Sequence, residues 1–102
     1  MAKFMTFKVI VRKAAAADMQ DAAQWYEHQN QGLGSEYLRA VENSIAAISR
    51  NPQQYPAVYE NVRRSLIRRF PFGIFYLVTS DSVVIIACLH GKRHPSTFKS
   101  RK

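Results

Sequence analysis

The side chains best suited to bind anions or to move protons are concentrated in the last 40 residues of the sequence. The cationic candidates are Arg63, Arg64, Arg68, Arg69, Lys92 and Arg93. His90 and His94 are also there, and histidine is the side chain that titrates near neutral pH. Guanidinium and ammonium groups bind carboxylates and phosphates, so these residues favour a surface for an anionic partner. The arginines also fit a second, less favoured interpretation, the solvated edge of a sheet, where charge prevents edge-to-edge aggregation.

The spacing of His90 and His94 is that of a metal-binding pair on a helix. Pro95 indicates a loop instead, and no cluster of carboxylates or cysteines lies nearby in the sequence. We therefore expect no metal site and no cofactor. Cys88 is the only cysteine and lies in the apolar run 83–89, which predicts a buried strand residue rather than a nucleophile.

Length and charge predict one basic domain. The chain has 102 residues and a formal net charge of +8, and residues 1–102 are predicted to form a single domain with a basic tail at 95–102. The segment 14–60 is net acidic, whereas both flanking segments are net basic, an asymmetry that attracts a polyanion or an acidic protein to one side. No apolar run approaches the ~20 residues of a membrane span, and the N-terminus does not resemble a secretory signal. We expect a cytoplasmic protein without a membrane partner.

Hydrophobic periodicity predicts the elements that position these side chains. Alternation predicts strands, apolar residues at helical spacing predict two helices, and the segments Gly32-Leu33-Gly34 and Asn51-Pro52 end them. The predicted strands are Phe4–Arg12, Val62–Arg69, Ile74–Thr79 and Val83–Leu89. The segment 53–60 is predicted to be a loop.

The order β-α-α-β-β-β predicts an α+β domain, in which an N-terminal helical hairpin packs on one face of an antiparallel sheet of about four strands. Alternation along the second strand places Arg64 and Arg68 on one face and Arg63 and Arg69 on the other. Trp25-Tyr26 is predicted to lie in the core of the hairpin, and the alternative is that one of the two rings faces a partner protein.

Several segments together resemble the RelE/ParE toxins of bacterial type II toxin–antitoxin systems. They are Trp25-Tyr26-Glu27, Gly32-Leu33-Gly34, Asn51-Pro52, Arg63-Arg64, Phe70-Pro71-Phe72, Ile74-Phe75-Tyr76 and residues 90–95. The resemblance spans the chain from about Phe7 to Phe98. None of the segments is specific alone, and their ordered combination carries the resemblance.

The resemblance implies a toxin of a plasmid stabilisation-like system that is neutralised by a cognate antitoxin. One branch of the family cleaves messenger RNA on the ribosome without a metal, and the ParE-like branch poisons DNA gyrase. The long hairpin and the Gly32-Leu33-Gly34 and Phe70-Pro71-Phe72 segments are more similar to the ParE-like branch. The residues expected to bind the target are Arg64, Arg68, Lys92 and Arg93. Those expected to bind the antitoxin are Trp25, Tyr26, Arg63 and Arg69.

Metal-independent RNA cleavage requires a base, a cation beside the phosphate and an acid for the leaving oxygen. The nuclease members that this chain resembles carry an arginine at the start of the third strand and a tyrosine or histidine in the tail. Gly73 and Phe98 stand at those positions here. A gyrase inhibitor is therefore favoured over a nuclease. The alternatives are a ribosome-dependent endoribonuclease that uses His90, Lys92, Arg93 and His94, and a decayed toxin that only binds its antitoxin.

Overall fold

The computed structural model describes residues 6–91 and 100–101. The chain forms a helical hairpin and a sheet in the predicted order, with one additional short strand. The elements are β1 (Lys8–Val11), α1 (Lys13–Gln29), α2 (Leu33–Arg50), a 3-10 turn (Pro52–Gln54), β2 (Ala57–Tyr59), β3 (Val62–Leu66), β4 (Phe72–Val78) and β5 (Ser82–His90). None of these helices is long and apolar enough to cross a membrane.

The described strands form one five-stranded sheet in the order β1-β5-β4-β3-β2. The strands from β2 to β5 pair antiparallel, whereas β1 pairs parallel with β5. The α+β class and the packed hairpin are confirmed, and the sheet differs from the expectation in being mixed and in having a fifth strand. Alternation reports which face a side chain takes but carries no information on the direction of the neighbouring strand. The added strand, β2, has three residues and follows Pro56, so it is too short to produce an alternating pattern.

The two glycines between the helices act for different physical reasons. Gly32 has φ +89°, a conformation that disfavours other residues, and it is the residue before the first turn of α2. Gly34 lies where the helices meet, and a Cβ at this position would be 2.6 Å from the carbonyl oxygen of Ala23. This short segment therefore both reverses the direction of the chain and lets the two helices of the predicted hairpin pack closely together.

The main core lies between the hairpin and the sheet. Its fully buried side chains include Tyr37, Ile48, Ile74, Tyr76 and Ile85. The Tyr76 hydroxyl donates a 2.7 Å hydrogen bond to the Pro52 carbonyl oxygen, which satisfies its polar atom inside the core. Desolvation in this core raises the pKa of both tyrosines.

A second apolar cluster lies on the opposite face of the sheet and contains Val62, Phe75, Ile86 and Ala87, each at most 2% exposed. The central strands β4 and β5 are therefore buried on both faces, as their unbroken apolar runs predicted.

Candidate functional site

Arg63 and Arg64 lie on opposite faces of the sheet, as alternation predicted. The Arg63 guanidinium donates to the Gln53 carbonyl oxygen at 3.2 Å, to Gln53 Oε1 at 2.9 Å, and to the Tyr55 carbonyl oxygen. Arg63 therefore stabilises the loop that follows α2 through hydrogen bonds to Gln53 and Tyr55. Arg64 donates through Nη1 to the Gly91 carbonyl oxygen at 3.2 Å, which places its guanidinium beside the end of β5.

Gly73 provides the space that Arg64 occupies. A Cβ at Gly73 would lie 3.0 Å from Cγ and 3.1 Å from Cδ of Arg64. The buried Nε of Arg64 has no hydrogen-bond partner in the described part of the chain. The sheet position where the resembling nucleases carry an arginine is thus filled by the stem of Arg64, from the neighbouring strand.

Trp25 is 58% exposed, so the prediction that it lies in the hairpin core was wrong. The buried face of α1 consists of Ala15, Met19, Ala22 and Ala23, and helical geometry turns Trp25 away from that face. Its ring meets the edge of Tyr26 at a centroid distance of 5.1 Å.

Tyr26 is half-buried and connects Trp25 to the core. Its ring centroid lies 5.3 Å from that of Tyr37 and 5.0 Å from that of Phe70. Burial raises the pKa of its hydroxyl. The rings form a continuous aromatic cluster in which Trp25 is the exposed member.

Trp25 and Arg64 belong to adjoining cavities at one end of the sheet, which we call the sheet-end surface. One cavity of about 400 Å³ is lined by Trp25, Tyr26, Pro71, Phe72 and His90. The next, of about 330 Å³, shares Pro71 and His90 and includes Arg64 and Leu66. The structure therefore brings together residues that were predicted for two different partners. Of the predicted tail residues, Lys92, Arg93 and His94 lie outside the described residues, as does Phe98, and their roles stay predictions.

Arg68 and Arg69 do not continue the strand. β3 ends at Leu66, and both arginines lie in the turn that follows, so the prediction that they alternate between faces was wrong. Arg69 has φ +73° and forms a 3.0 Å ion pair with Glu36 of α2. Both line one cavity of about 450 Å³ against α2, which we call the α2–β3 groove. Because the strand stops early, two arginines expected on opposite faces reach the same groove.

Glu27 connects α1 to the glycine segment Gly32-Leu33-Gly34 that follows it. Its carboxylate accepts hydrogen bonds from the backbone N–H groups of Gly32 and Gly34, both at 3.0 Å. These donors lie at the start of α2, where N–H groups have no partner within the helix. The two backbone hydrogen bonds lower the pKa of Glu27. Its role is to join the hairpin helices rather than to perform acid–base chemistry.

Asp18 and Arg101 form a contact that the sequence did not reveal. Arg101 Nη1 lies 2.6 Å from Asp18 Oδ2, and the two side chains are 27% and 12% exposed. Asp18 Oδ2 also accepts the Cys88 backbone N–H at 3.0 Å, on the part of β5 that extends beyond its pairing with β1. Arg101 was predicted only as part of the basic tail at 95–102, and the structure places its guanidinium against Asp18 of α1 and Ile86 of β5. The two partners are separated by 83 positions in the chain, which explains why no local pattern signals the pair.

Cys88 is a buried strand residue, as predicted, at 1% exposure. Its Sγ lies 3.2 Å from the Tyr37 hydroxyl, and burial raises the pKa of the thiol to about 11. A thiol that stays protonated at neutral pH is a poor nucleophile. Within residues 6–91 and 100–101, no group of three or more His, Cys, Asp or Glu side chains is arranged to hold a metal ion.

Comparisons with known proteins agree with this geometry. The family model described as the ParE toxin of type II toxin–antitoxin system, parDE, matches residues 9–95. Among solved structures, the chain is similar to the chromosomal ParDE toxin–antitoxin system from P. aeruginosa, with a TM-score of 0.69, 19% identity, and coverage of 86% of this chain and 98% of that chain. It is also similar to the toxin–antitoxin complex RelBE2 from Mycobacterium tuberculosis, with a TM-score of 0.60, 19% identity, and coverage of 88% and 97%. At this identity the two structures show a shared fold. The search of curated proteins found no significant match.

Proposed function

The chain belongs to the ParE toxin family of type II toxin–antitoxin systems, and we propose that it arrests bacterial growth in the cytoplasm by binding and poisoning DNA gyrase. We further propose that a cognate antitoxin neutralises it. The antitoxin is supported by the two structural neighbours, which are toxin–antitoxin complexes. The gyrase target is the finer part of the proposal and depends on the sheet-end surface.

The observation that carries the proposal is the packing of Arg64 over Gly73. An added Cβ at Gly73 would lie 3.0 Å from Arg64 Cγ, so a longer side chain at this position would have to displace the stem of Arg64. Arg64 itself is held by the Gly91 carbonyl oxygen. RNA cleavage is accelerated by cations placed around the phosphate, and Arg64 is the one arginine or lysine that lines the cavities of the sheet-end surface among the residues that the structure describes. Arginine together with exposed aromatic side chains is typical of a protein-binding surface.

The exposed apolar side chains at this surface support the same conclusion. Trp25 is 58% exposed and Leu66 is 60% exposed, and the two lie in cavities that share Pro71 and His90. Trp and Arg are the residue types that most often dominate binding energy in protein interfaces. The sheet-end surface is therefore suited to bind a protein target through non-covalent contacts.

The decisive experiment combines the purified chain with purified DNA gyrase and relaxed plasmid. A gyrase poison lowers the supercoiling rate and accumulates linear DNA in proportion to its concentration. In parallel, the chain is expressed alone in a bacterial host while chromosome breaks and transcript integrity are followed together. Breaks with intact transcripts are expected. Codon-positioned transcript cleavage with normal supercoiling would instead establish the endonuclease, and normal growth without either lesion would indicate a decayed toxin.

A matched pair of variants tests the surface. Trp25→Ala removes the exposed ring. Ile10→Ala is the control, because it removes an apolar side chain that is 42% exposed on β1. In the sheet, β1 and β2 are the two opposite edge strands. Because a hot-spot residue contributes about 2 kcal/mol, Trp25→Ala should raise the inhibitory concentration about thirtyfold. Ile10→Ala should leave it unchanged. Equal inhibition by Trp25→Ala and the unmodified chain, with both folded by circular dichroism, would remove the sheet-end surface from the gyrase interaction.

A further inference from the structure

A third cavity adjoins the sheet-end surface and carries the opposite charge. It has a volume of about 310 Å³, its ionisable lining residues include Asp18 and Asp21 of α1, and we call it the acidic cavity. It shares Phe72 and His90 with the cavity of Trp25. Of the described residues, it shares only His90 with the cavity of Arg64. The cavity of Trp25 therefore lies between an acidic cavity and one that contains an arginine.

Asp21 is the carboxylate of the acidic cavity that can bind a partner. It is exposed and forms no ion pair within residues 6–91 and 100–101, whereas Asp18 is 12% exposed and already pairs with Arg101. Asp21 and Trp25 are four residues apart on α1, so their side chains are neighbours on the helix surface. A carboxylate beside an exposed indole ring is suited to bind a cationic side chain, through an ion pair and a cation–π contact together.

Arg64 has the complementary capacity for an anionic side chain. Its Nη1 donates to the Gly91 carbonyl oxygen, and its buried Nε has no hydrogen-bond partner in the described part of the chain. Nε and Nη2 form the remaining edge of the guanidinium, and such an edge binds a carboxylate through two parallel hydrogen bonds. A carboxylate there would satisfy Nε, which is destabilising while it has no partner. Access to Nε requires its neighbours to move, and Leu66 of the same cavity is 60% exposed.

We propose that the sheet-end surface and the acidic cavity together recognise a protein segment that presents a basic, an apolar and an acidic side chain in that order. The basic side chain pairs with Asp21, the apolar one enters the cavity lined by Trp25 and Phe72, and the acidic one pairs with Arg64. The mixed charge of the segment follows from the geometry of the three cavities. The identification of the segment as a part of DNA gyrase rests on the proposed function.

The charge distribution favours a protein over a nucleic acid as the occupant. Single-stranded nucleic acid is bound by a positively charged groove that follows the phosphate backbone. Among the described residues, Arg64 is the one arginine or lysine that lines the three cavities, and Asp21 would repel a phosphate group. Opposite charges at the two ends of a binding surface also fix the orientation of a bound protein segment.

The fluorescence of Trp25 tests the proposal directly. Trp25 is the only tryptophan of the chain and lies in the central cavity, so its emission reports binding at this surface. The full chain is titrated with three synthetic peptides of equal length, each without aromatic residues and with a central leucine. The mixed peptide has a lysine two residues before the leucine and a glutamate two residues after it, which places the three side chains on one face of an extended segment.

The acidic peptide has glutamate at both flanking positions, and the basic peptide has lysine at both. The titrations are made at about 0.15 M salt, where attraction between distant charges is screened. The mixed peptide should bind most tightly, because it alone can pair with both charged ends. Equal or tighter binding of the acidic or the basic peptide would overturn the mixed-charge site, and so would a Trp25 emission that does not respond to the mixed peptide.

Single variants test the two ends separately. Asp21→Asn should weaken binding of the mixed peptide about fivefold and tighten binding of the acidic peptide. Arg64→Gln should weaken binding of the mixed peptide about tenfold, since charge-assisted hydrogen bonds are the strong ones, and tighten binding of the basic peptide. Glu42→Gln and Arg39→Gln are the matched controls, because they remove the same charges from exposed positions of α2 outside the three cavities. Each control should change the affinity by no more than about twofold.

The direction of the change separates recognition from a loss of structure. A variant that only perturbs the fold weakens all three peptides, and circular dichroism detects it. Equal effects of Asp21→Asn and Glu42→Gln would overturn the role of the acidic cavity. An oligonucleotide that binds more tightly than the mixed peptide, and more tightly still to Asp21→Asn, would overturn the protein segment as the occupant.

These outcomes are independent of the gyrase assay. If the mixed peptide binds with the expected effects but the chain does not inhibit gyrase, the mixed-charge site stands and the proposed target fails. If the chain inhibits gyrase but Asp21→Asn changes neither inhibition nor peptide binding, the target stands and the mixed-charge site fails.

Discussion

Gly34→Ala tests whether the helical hairpin depends on close contact of its two backbones. By helix propensity alone, alanine inside α2 should stabilise the protein by about 1 kcal/mol. The contact predicts the opposite, because the added Cβ would lie 2.6 Å from the Ala23 carbonyl oxygen and 3.0 Å from Glu27 Oε1. The Glu27 side chain can rotate away, but the carbonyl oxygen belongs to the backbone of α1. The helices must therefore separate.

The magnitude follows from the two opposing contributions. Overpacking a close contact costs about 1–3 kcal/mol, and a clash with backbone lies at the upper end of that range. After subtraction of the propensity gain, we expect Gly34→Ala to lower the free energy of unfolding by about 2 kcal/mol. With a urea dependence of about 2 kcal/mol/M for a protein of this size, the midpoint should fall by about 1 M.

The assay is urea unfolding followed by far-ultraviolet circular dichroism. Gly32→Ala is the matched control, because nothing lies within 4 Å of its Cβ position and its φ of +89° provides a purely conformational penalty. Gly34→Ala should lose nearly as much stability in a Glu27→Ala background as in the parent, since the backbone contact remains. A midpoint for Gly34→Ala equal to or above that of the parent would refute the close-contact argument.

Two further predictions concern pH. The pKa of Glu27 is lowered below its ordinary 4.5 by hydrogen bonds from Gly32 and Gly34, so its stabilisation is present above pH 4.5 and lost as the pH falls through the folded-state pKa. Urea unfolding from neutral to acidic pH should show that Glu27→Gln has a lower free energy of unfolding than the parent at neutral pH. The difference between the two proteins should shrink in acid. A difference that stays constant with pH would contradict the lowered pKa of Glu27. The pKa of Cys88 is raised from 9.0 to about 11, so its contribution is present below pH 9 and lost as the pH rises toward 11. Cys88→Ala should therefore lose less stability across that alkaline range than the parent. Rapid thiol labelling of the native parent at neutral pH would contradict a buried, protonated thiol.

The fold assigns separate positions to groups that look alike in the sequence. Arg63 fastens the loop after α2, Arg64 lies over Gly73 at the sheet-end surface, and Arg68 lines the α2–β3 groove. Neighbouring arginines therefore belong to a structural contact, to the sheet-end surface and to a separate groove. Substituting them together would mix these effects, so the role of each arginine is separated by single substitutions.

The sequence by itself determined the features that depend on near neighbours in the chain. Helical spacing, the glycines at 32 and 34, and Asn51-Pro52 located both helices and their ends, and the apolar runs located β4 and β5. Alternation also separated Arg63 from Arg64 correctly. Backbone preferences and the side-chain period are local properties, so they can be read without knowledge of distant contacts.

Only the tertiary structure decided the features that depend on residues far apart in the chain. The parallel pairing of β1 with β5, the ion pair of Asp18 with Arg101, and the exposure of Trp25 each depend on which elements become neighbours. The end of β3 at Leu66 is also decided by pairing, since Leu66 is its last residue with a partner on β4. That early end places Arg68 beside Arg69 in one groove. Strand partners, helix faces and ion pairs are selected by the whole packed chain, and no short segment encodes them.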